Sequence, residues 1–525
     1  MNHVMATLRL LRAGWVLARE GVIAGLPSNG LTGMAATGHS IATALARRRS
    51  QTLDNAERMS KAIARLGPSY AKLGQFLATR PDVIGLDLAL DLAHLQDRME
   101  SFPLADAVAR IEDSLGRPVG ELFEEIGEPV AAASIAQVHP ATVRDADGTL
   151  RKVAVKVIRP GVRRRFARDL DAFFLFAQMQ ERHVPASRRL RPVAVAETLA
   201  QTTKIEMDLR LEAAALSELR ENTRDDPGFK VPKVDWQRTG RDVLTLEWVD
   251  GIKLSEIDAL RAAGHDLDKL ADSVVQNFLR HAMRDGFFHA DMHPGNLFVD
   301  AEGNIVAVDL GIAGRIGLKE RRFLAEILYG FIRRDFQRVA RVHFEAGYVP
   351  PNQDVEAFAQ AIRAIGEPIH GQPAETISMA NLLTLLFEVT DIFEMQTRPE
   401  LLLLQKTMVV VEGNARALNP RFNMWKASEP VVGDWIARNL GPAAVLTDAK
   451  AGLESLGRLA RSLPELADRT EKLSLEIEEM ANSGMKLAPG TVEAIGKAEA
   501  RESRSGRIAL WVIALAALWI AWQVS

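Results

Sequence analysis

Two short segments carry polar side chains of the types that phosphoryl transfer requires. They are His289-Ala290-Asp291-Met292-His293-Pro294-Gly295-Asn296 and Val308-Asp309-Leu310-Gly311. Such chemistry needs a carboxylate near the acceptor, an amide oxygen on Mg²⁺, and a second carboxylate bridging metal and phosphates. Asp291, Asn296 and Asp309 supply these types in that order, spaced by five and then thirteen residues. A lone H-x-D or D-x-G is common, whereas both at this spacing after a helix-forming stretch are specific. Asp291 is therefore the candidate catalytic base, and Asn296 and Asp309 are candidate ligands for the Mg²⁺ of bound ATP. His289 and His293 lie four apart, but Pro294 interrupts any helix and no third soft ligand is near, so they shape the loop by hydrogen bonds.

A third element is Val153-Ala154-Val155-Lys156-Val157. A lysine within an apolar strand is costly unless paired. In kinases such a strand lysine contacts the α- and β-phosphates and pairs with a helix glutamate. Taken alone, Lys156 also fits an outward-facing lysine on an amphipathic strand; beside the loop above it is a catalytic and nucleotide-binding candidate. Its partner must come from the helical stretch that follows, where Glu206, Asp208 and Glu212 are candidates. On one helix Glu206 and Glu212 would point in different directions. Where kinases place a glycine-rich phosphate loop, this chain has Ala131-Ala132-Ala133-Ser134, followed by Gln137 and His139. Alanines restrict positive φ, so such a loop cannot drape over phosphates as glycines do. Glu247 and Val249, near the end of a later strand, are further candidates for nucleotide contact.

These groups must be held by elements whose pattern can be traced. Residues 1–130 read as helical, with Asp54–Leu66 and Tyr70–Leu77 separated by Gly67-Pro68. Val130–Val143 and Val153–Ile158 read as strands joined through Asp145-Ala146-Asp147-Gly148. A long helical stretch runs from Val162 to Leu219, broken near Pro185, and a strand follows at Val243–Val249 with Asp250-Gly251 as its stop. A helix from Leu270 to Arg284 ends at Gly286, which suits a left-handed C-cap. Asn296–Val299 and Ile305–Val308 form a second hairpin around Glu302-Gly303-Asn304, and helix continues to about residue 500.

The 525 residues allow more than one core, and the net charge of −3 gives no global pull toward nucleic acid. The basic clusters Arg47–Arg49 and Arg163–Arg165 are local, solvated faces. No cysteine is present, which excludes disulfides, thiolate metal sites and a cysteine nucleophile. Leu8–Leu26 is a basic amphipathic segment that lies on a membrane surface or packs on the body, since its arginines interrupt any signal-peptide core. Ile508–Val524 carries no charge, is just long enough to span hydrocarbon, and follows Arg501, Arg504 and Arg507. That pattern predicts a C-terminal anchor with the preceding domain in the cytoplasm.

Together these motifs resemble the UbiB family of atypical kinases, tied to biosynthesis of ubiquinone and related quinones. The resemblance covers about residues 60 to 320 and rests on the alanine-rich loop, Lys72-Leu73-Gly74-Gln75, Glu206-Met207-Asp208, and the two segments described first. It implies a protein-kinase-like fold in which Glu212 pairs with Lys156, and the K-x-G-Q segment folds over the site where a peptide substrate would lie. Lys72 and Gln75 are then gating residues near the phosphates, with Glu206 or Asp208 as partners. It further implies ATPase-like or small-molecule kinase activity with membranes, and a C-terminal anchor often described as two helices, of which this sequence supports one. Past about residue 330 the resemblance assigns no residue.

The expectation is an α+β, protein-kinase-like two-lobed fold with a helical N-terminal extension and a C-terminal transmembrane helix. The divisions are an extension at 1–125, a small lobe with helical insert at 126–250, a helical large lobe at 251–440, an amphipathic linker at 441–506, whose Ser462–Ala481 part is charged, and an anchor at 507–525. Expected cofactors are ATP and Mg²⁺; expected partners are membrane lipids and quinone-biosynthesis intermediates or enzymes, with no nucleic acid and room for a homodimer. The location is the inner (cytoplasmic) membrane, single-pass. Rival activities are a Ser/Thr protein kinase, an ATP-binding lipid-presenting scaffold, and an antibiotic-type small-molecule phosphotransferase.

Overall fold

A computed structural model describes residues 3–25, 40–41, 43–46, 55–78, 92, 100–184, 188, 191–371, 389, 392–395 and 399–440. They belong to one compact unit up to Ala437, and a second unit begins at Arg438. The apolar run Ile508–Val524, the arginines before it, the tail Ser462–Ala481 and Arg47–Arg49 lie outside the described residues. Among the described residues no helix is long and apolar enough to cross a membrane.

Helix α1 (His3–Arg19) packs against the body with its small side chains, Ala6 and Ala13 being buried seven residues apart on one face. Its large apolar residues Val4, Leu8, Leu11 and Trp15 are exposed. Helices α2 (Asn55–Leu66) and α3 (Pro68–Ala78) follow, with Pro68 suited to the first helical turn. Then α4 (Leu104–Leu115) covers one face of the small sheet.

That sheet comprises β1 (Glu125–Ile126), β2 (Ala131–Ala132), β3 (Ala136–Arg144), β4 (Leu150–Ile158) and β6 (Val243–Glu247), in the order β1-β3-β4-β6 with β2 also on β3. All its pairings are antiparallel. Strand alternation sends Val153, Val155 and Val157 into a core with Ile111 of α4. The opposite face, with Ile158, Leu244 and Leu246, joins the main core.

The helical insert is α5 (Val162–His183), α6 (Pro192–Glu206) and α7 (Leu209–Asn222). Sequence periodicity does not show the break between α6 and α7. Asp208 makes it, because its side chain accepts the Arg210 backbone N–H and caps the new helix.

The larger lobe begins with α8 (Leu267–Arg280), capped by Asp266 and buried through Leu270, Val274, Val275, Phe278 and Leu279. A π-helical turn, His281–Asp285, extends it to Gly286. Gly286 has φ +66°, and a Cβ there would sit 2.4 Å from the Ile316 carbonyl oxygen, so both conformation and space require glycine. Strands β8 (Phe287–His289) and β11 (Ala313–Arg315) pair antiparallel. A second sheet runs β5 (Phe229–Lys230), β10 (Ile305–Ala307), β9 (Leu297–Val299), β7 (Ile252–Lys253). Helices α9 (Leu318–Arg333), α10 (Phe336–Glu345), α11 (Val355–Gly371), α12 (Pro399–Leu418) and α13 (Met424–Leu440) complete the described chain.

Candidate nucleotide and metal site

Lys156 stands opposite Leu244 of β6 and Val138 of β3, on the sheet face turned away from the valine core. Its Nζ donates to Glu212 Oε1 at 2.7 Å and Oε2 at 2.9 Å, and to Asp309 Oδ2 at 2.8 Å. Burial opposes charge on Lys156, yet the carboxylates of Asp309 and Glu212 outweigh it and hold its pKa above the usual lysine range. Two carboxylates share this one ammonium, so they separate. Burial pushes Glu212 up to about 7, while Asp309, though also buried, is pulled below the ordinary carboxylate range chiefly by Lys156.

The loop from His289 to Asn296 and the segment around Asp309 are stitched together from both sides. On one side β8 pairs with β11 and the Ala290 N–H donates to the Ile312 carbonyl at 3.0 Å. On the other, β9 pairs with β10 and the Val308 N–H donates to the Asn296 carbonyl at 3.1 Å. Asn296 Nδ2 donates to the Asp291 carbonyl at 3.1 Å and to its Oδ2 at 3.2 Å, while its Oδ1 accepts no hydrogen bond among the described residues. Asp309 Oδ1 accepts the Gly311 N–H at 2.9 Å. An amide oxygen without a donor and a carboxylate of low pKa are hard oxygen donors of the kind Mg²⁺ takes alongside phosphates and water.

The histidines bond to the loop backbone. His289 Nδ1 accepts the Asp291 N–H at 3.2 Å, and burial lowers the ring's pKa, so its proton sits on Nε2, which is buried without a partner. His293 Nδ1 accepts the Gly295 N–H at 3.2 Å and caps the turn Pro294–Asn296. Among the described residues no group of three or more His, Cys, Asp or Glu is arranged to hold a metal by itself.

The alanine loop occupies the same face as Lys156. Ala131 pairs with Val138, which pairs with Lys156, so the three lie in one row across the sheet, with Ala131 and Lys156 about 10 Å apart by strand spacing. The turn closes by an Ala133 N–H to Ala136 carbonyl bond of 2.8 Å, and none of Ala131 to Ser134 adopts positive φ. Ser134 is buried. Gln137 Nε2 donates to the Phe102 carbonyl and meets His139 Nε2, whose Nδ1 bonds the Gly127 carbonyl.

Lys72 of α3 lies 2.5 Å from Glu206 at the end of α6, both largely buried. Burial raises the Glu206 pKa against the pull of Lys72, and Asp309 and Lys156 are within its electrostatic reach. Gln75, one turn on, is half-buried and makes no hydrogen bond among the described residues. Asp208 is not Lys72's partner: its carboxylate holds the Arg210 guanidinium at 2.7 and 2.9 Å as well as capping α7. Glu247 also departs from expectation. It pairs with Val153, so its side chain leaves the sheet on the face opposite Lys156, where Oε2 accepts the Lys233 N–H at 3.1 Å. Val249, just past β6, is half-buried.

Sequence inspection missed the support beneath the loop. Thr407 Oγ1 of α12 donates to the Ala290 carbonyl at 3.1 Å, and Asn414 Nδ2 donates to the Met292 carbonyl at 2.7 Å. These bonds brace the residues on either side of Asp291. The available signal was Thr407 and Asn414, seven apart on one face of an apolar helix, where buried polar groups demand partners.

Residues 94–343 match the ABC1 atypical kinase-like domain, and residues 362–423 match the UbiB helical domain. A protein named "Probable protein kinase UbiB" from Marinobacter nauticus is 39% identical over 419 residues, covering 79% of this chain and 76% of its own. Another so named, from Pseudomonas putida, is 36% identical over 493 residues, covering 90% and 89%. The chain belongs to the UbiB family of atypical kinases. The braces Thr407 and Asn414 fall in the UbiB helical domain, so that domain supports the His289–Asn296 loop directly. A solved structure, the complex of Rv3197 with erythromycin from Mycobacterium tuberculosis, aligns over 72% of this chain and 97% of its own at 24% identity and a TM-score of 0.48. That likeness is too loose to bear on the site.

Proposed function

We propose that this UbiB-family chain binds Mg·ATP beside Lys156 and hydrolyses it or transfers its terminal phosphoryl group, in support of ubiquinone biosynthesis at a membrane. The observation that carries the proposal is Lys156 joined at once to Glu212 and Asp309, with Asn296 bonded to Asp291. Asn296 and Asp309 would hold the metal, which when bound neutralises charge on the phosphates. In this proposal Lys156 exchanges its Asp309 contact for the α- and β-phosphates while Glu212 keeps it oriented. Asp291 accepts the proton of an acceptor hydroxyl or water. Its carboxylate is kept in place by the Asn296 amide, and that amide's oxygen remains available to metal.

Membrane association is proposed from two features. One is the exposed row Val4, Leu8, Leu11 and Trp15 on α1, flanked by the exposed arginines Arg12 and Arg19. The other is the uncharged sequence Ile508–Val524. A membrane partner also fits quinone intermediates, which are apolar and reside in lipid.

Transfer to protein is the second proposal. Asp291 suits a Ser or Thr hydroxyl, and the two relatives carry the name protein kinase. Against it stands the Lys72–Glu206 pair, which fastens α3 near the site. The deciding measurement is ATP binding and turnover on vesicles, with labelled ATP to follow any transfer to polypeptide. Asp309→Asn should lower turnover by about 100-fold or more, because a charge at the metal and phosphates is lost. Equal turnover in that variant sinks the enzymatic proposal.

A further inference from the structure

The cations near the catalytic loop are unequally occupied. Lys156 is held by Glu212 and Asp309, and Lys72 by Glu206. The loop from His289 to Asn296 itself contains no lysine or arginine. A third lysine, Lys406 on α12, reaches the same place from the UbiB helical domain. It adjoins Thr407, whose hydroxyl donates to the Ala290 carbonyl, so the helix is fixed directly against the residue preceding Asp291. Asp291, Lys72 and Glu206 all lie within electrostatic reach of its ammonium. Among the described residues Lys406 has neither hydrogen bond nor ion pair. Burial lowers its pKa, with Asp291 only partly opposing this.

Lys406 is half-buried, and a partly dehydrated ammonium with no anion in contact gains when an anion arrives. During phosphoryl transfer, charge spreads over three equatorial oxygens, and cations already fixed around them stabilise it. Lys156 lies on the small sheet, at the α/β-phosphate side of such a nucleotide. Lys406 lies at the Asp291 side, where the terminal phosphoryl group would be.

We propose that Lys406 is a catalytic residue that binds the phosphoryl group under transfer, so that α12 supplies the cation absent from the His289–Asn296 loop. This rests on the Mg·ATP assignment above. It gives the helical domain a share in the chemistry as well as in support of the loop.

The test uses full-length protein on vesicles, as wild type, Lys406→Gln and Lys406→Arg. Lys406→Gln should weaken ATP affinity about tenfold while leaving ADP affinity unchanged, since only the terminal phosphate is lost as a partner. Turnover should fall by about 100-fold, with partial rescue in Lys406→Arg, which keeps the charge. A second measurement uses the wild type alone: lysine-selective acylation followed by peptide mapping. Protection of Lys406 by Mg·ATP and not by Mg·ADP assigns the contact to the terminal phosphate. Protection by pyrophosphate added to the ADP-bound protein, with none by Mg·ATP, assigns the contact to a phosphate carried by the acceptor and overturns the proposal. A wild type that binds ATP yet leaves Lys406 equally reactive with every ligand overturns the proposal alone. A wild type that binds no nucleotide overturns the Mg·ATP assignment, and this one with it.

Discussion

Lys156 and Lys72 each meet a buried glutamate, Glu212 and Glu206, from two helices that adjoin in sequence. The two pairs are nevertheless built for different ends. Lys72 and Glu206 form a closed pair of one positive and one negative charge, joining the N-terminal extension to the helical insert. Lys156 is shared by Glu212 of the insert and Asp309 of the large lobe, leaving that group one negative charge in excess once Glu212 is ionised, above about pH 7. A closed pair fastens; a group short of one positive charge waits for a cation. The break at Met207-Asp208 lets two glutamates six residues apart serve both purposes, because each sits on its own helix.

Exchanging the lysines should separate the two roles most clearly. Lys156→Met should lower ATP turnover by about 100-fold or more without loosening α3. Lys72→Met leaves a buried carboxylate unpaired, a change of about 3 kcal/mol, so amide exchange over residues 68–78 should quicken on the order of 100-fold. Exchange over α3 that stays slow in Lys72→Met would show that the pair does not fasten the helix.

A smaller effect distinguishes the glutamates by pH. In the nucleotide-free protein Glu212 is raised from 4.5 to about 7, so between these values the folded chain holds a proton that the unfolded chain has released. Its contribution to stability is therefore full below the unfolded value and is lost as pH rises through the folded one. Glu212→Gln should flatten the fall in urea midpoint between about pH 5 and about pH 8. An unchanged slope would assign the fall to another group. Smallest of all, Asp208→Ala should cost about 1 kcal/mol of stability through loss of the α7 cap, with ATP affinity unaltered. A large loss of nucleotide binding would return Asp208 to the site.

The residues gathered at the candidate site were legible because their signal is local. Asp291, Asn296 and Asp309 declare themselves by spacing over one loop and hairpin, and Lys156 by its cost within an apolar strand. The choice among Glu206, Asp208 and Glu212 was not legible, since one side-chain cap decides whether there is one helix or two. Glu247 failed for a related reason. Alternation along β6 is visible, but which face meets Lys156 depends on the register with β4, where Lys156 stands opposite Leu244. Thr407 and Asn414 act more than a hundred residues from their positions in the chain, at Ala290 and Met292. No local pattern names such a partner.

The four-stranded sheet around Asn296 has a mechanical consequence. Its inner strands, β9 and β10, form the hairpin between Asn296 and Asp309, and its outer strands come from elsewhere. β5 follows the helix that carries Glu212, and β7 follows the strand beside Lys156. The hairpin is thus grasped along both edges by chain arriving from the smaller lobe, by β5 in parallel and by β7 antiparallel. The hairpin that links Asn296 to Asp309 is therefore an interior piece of its sheet, with neither long edge left open to slip or to take up a stray strand.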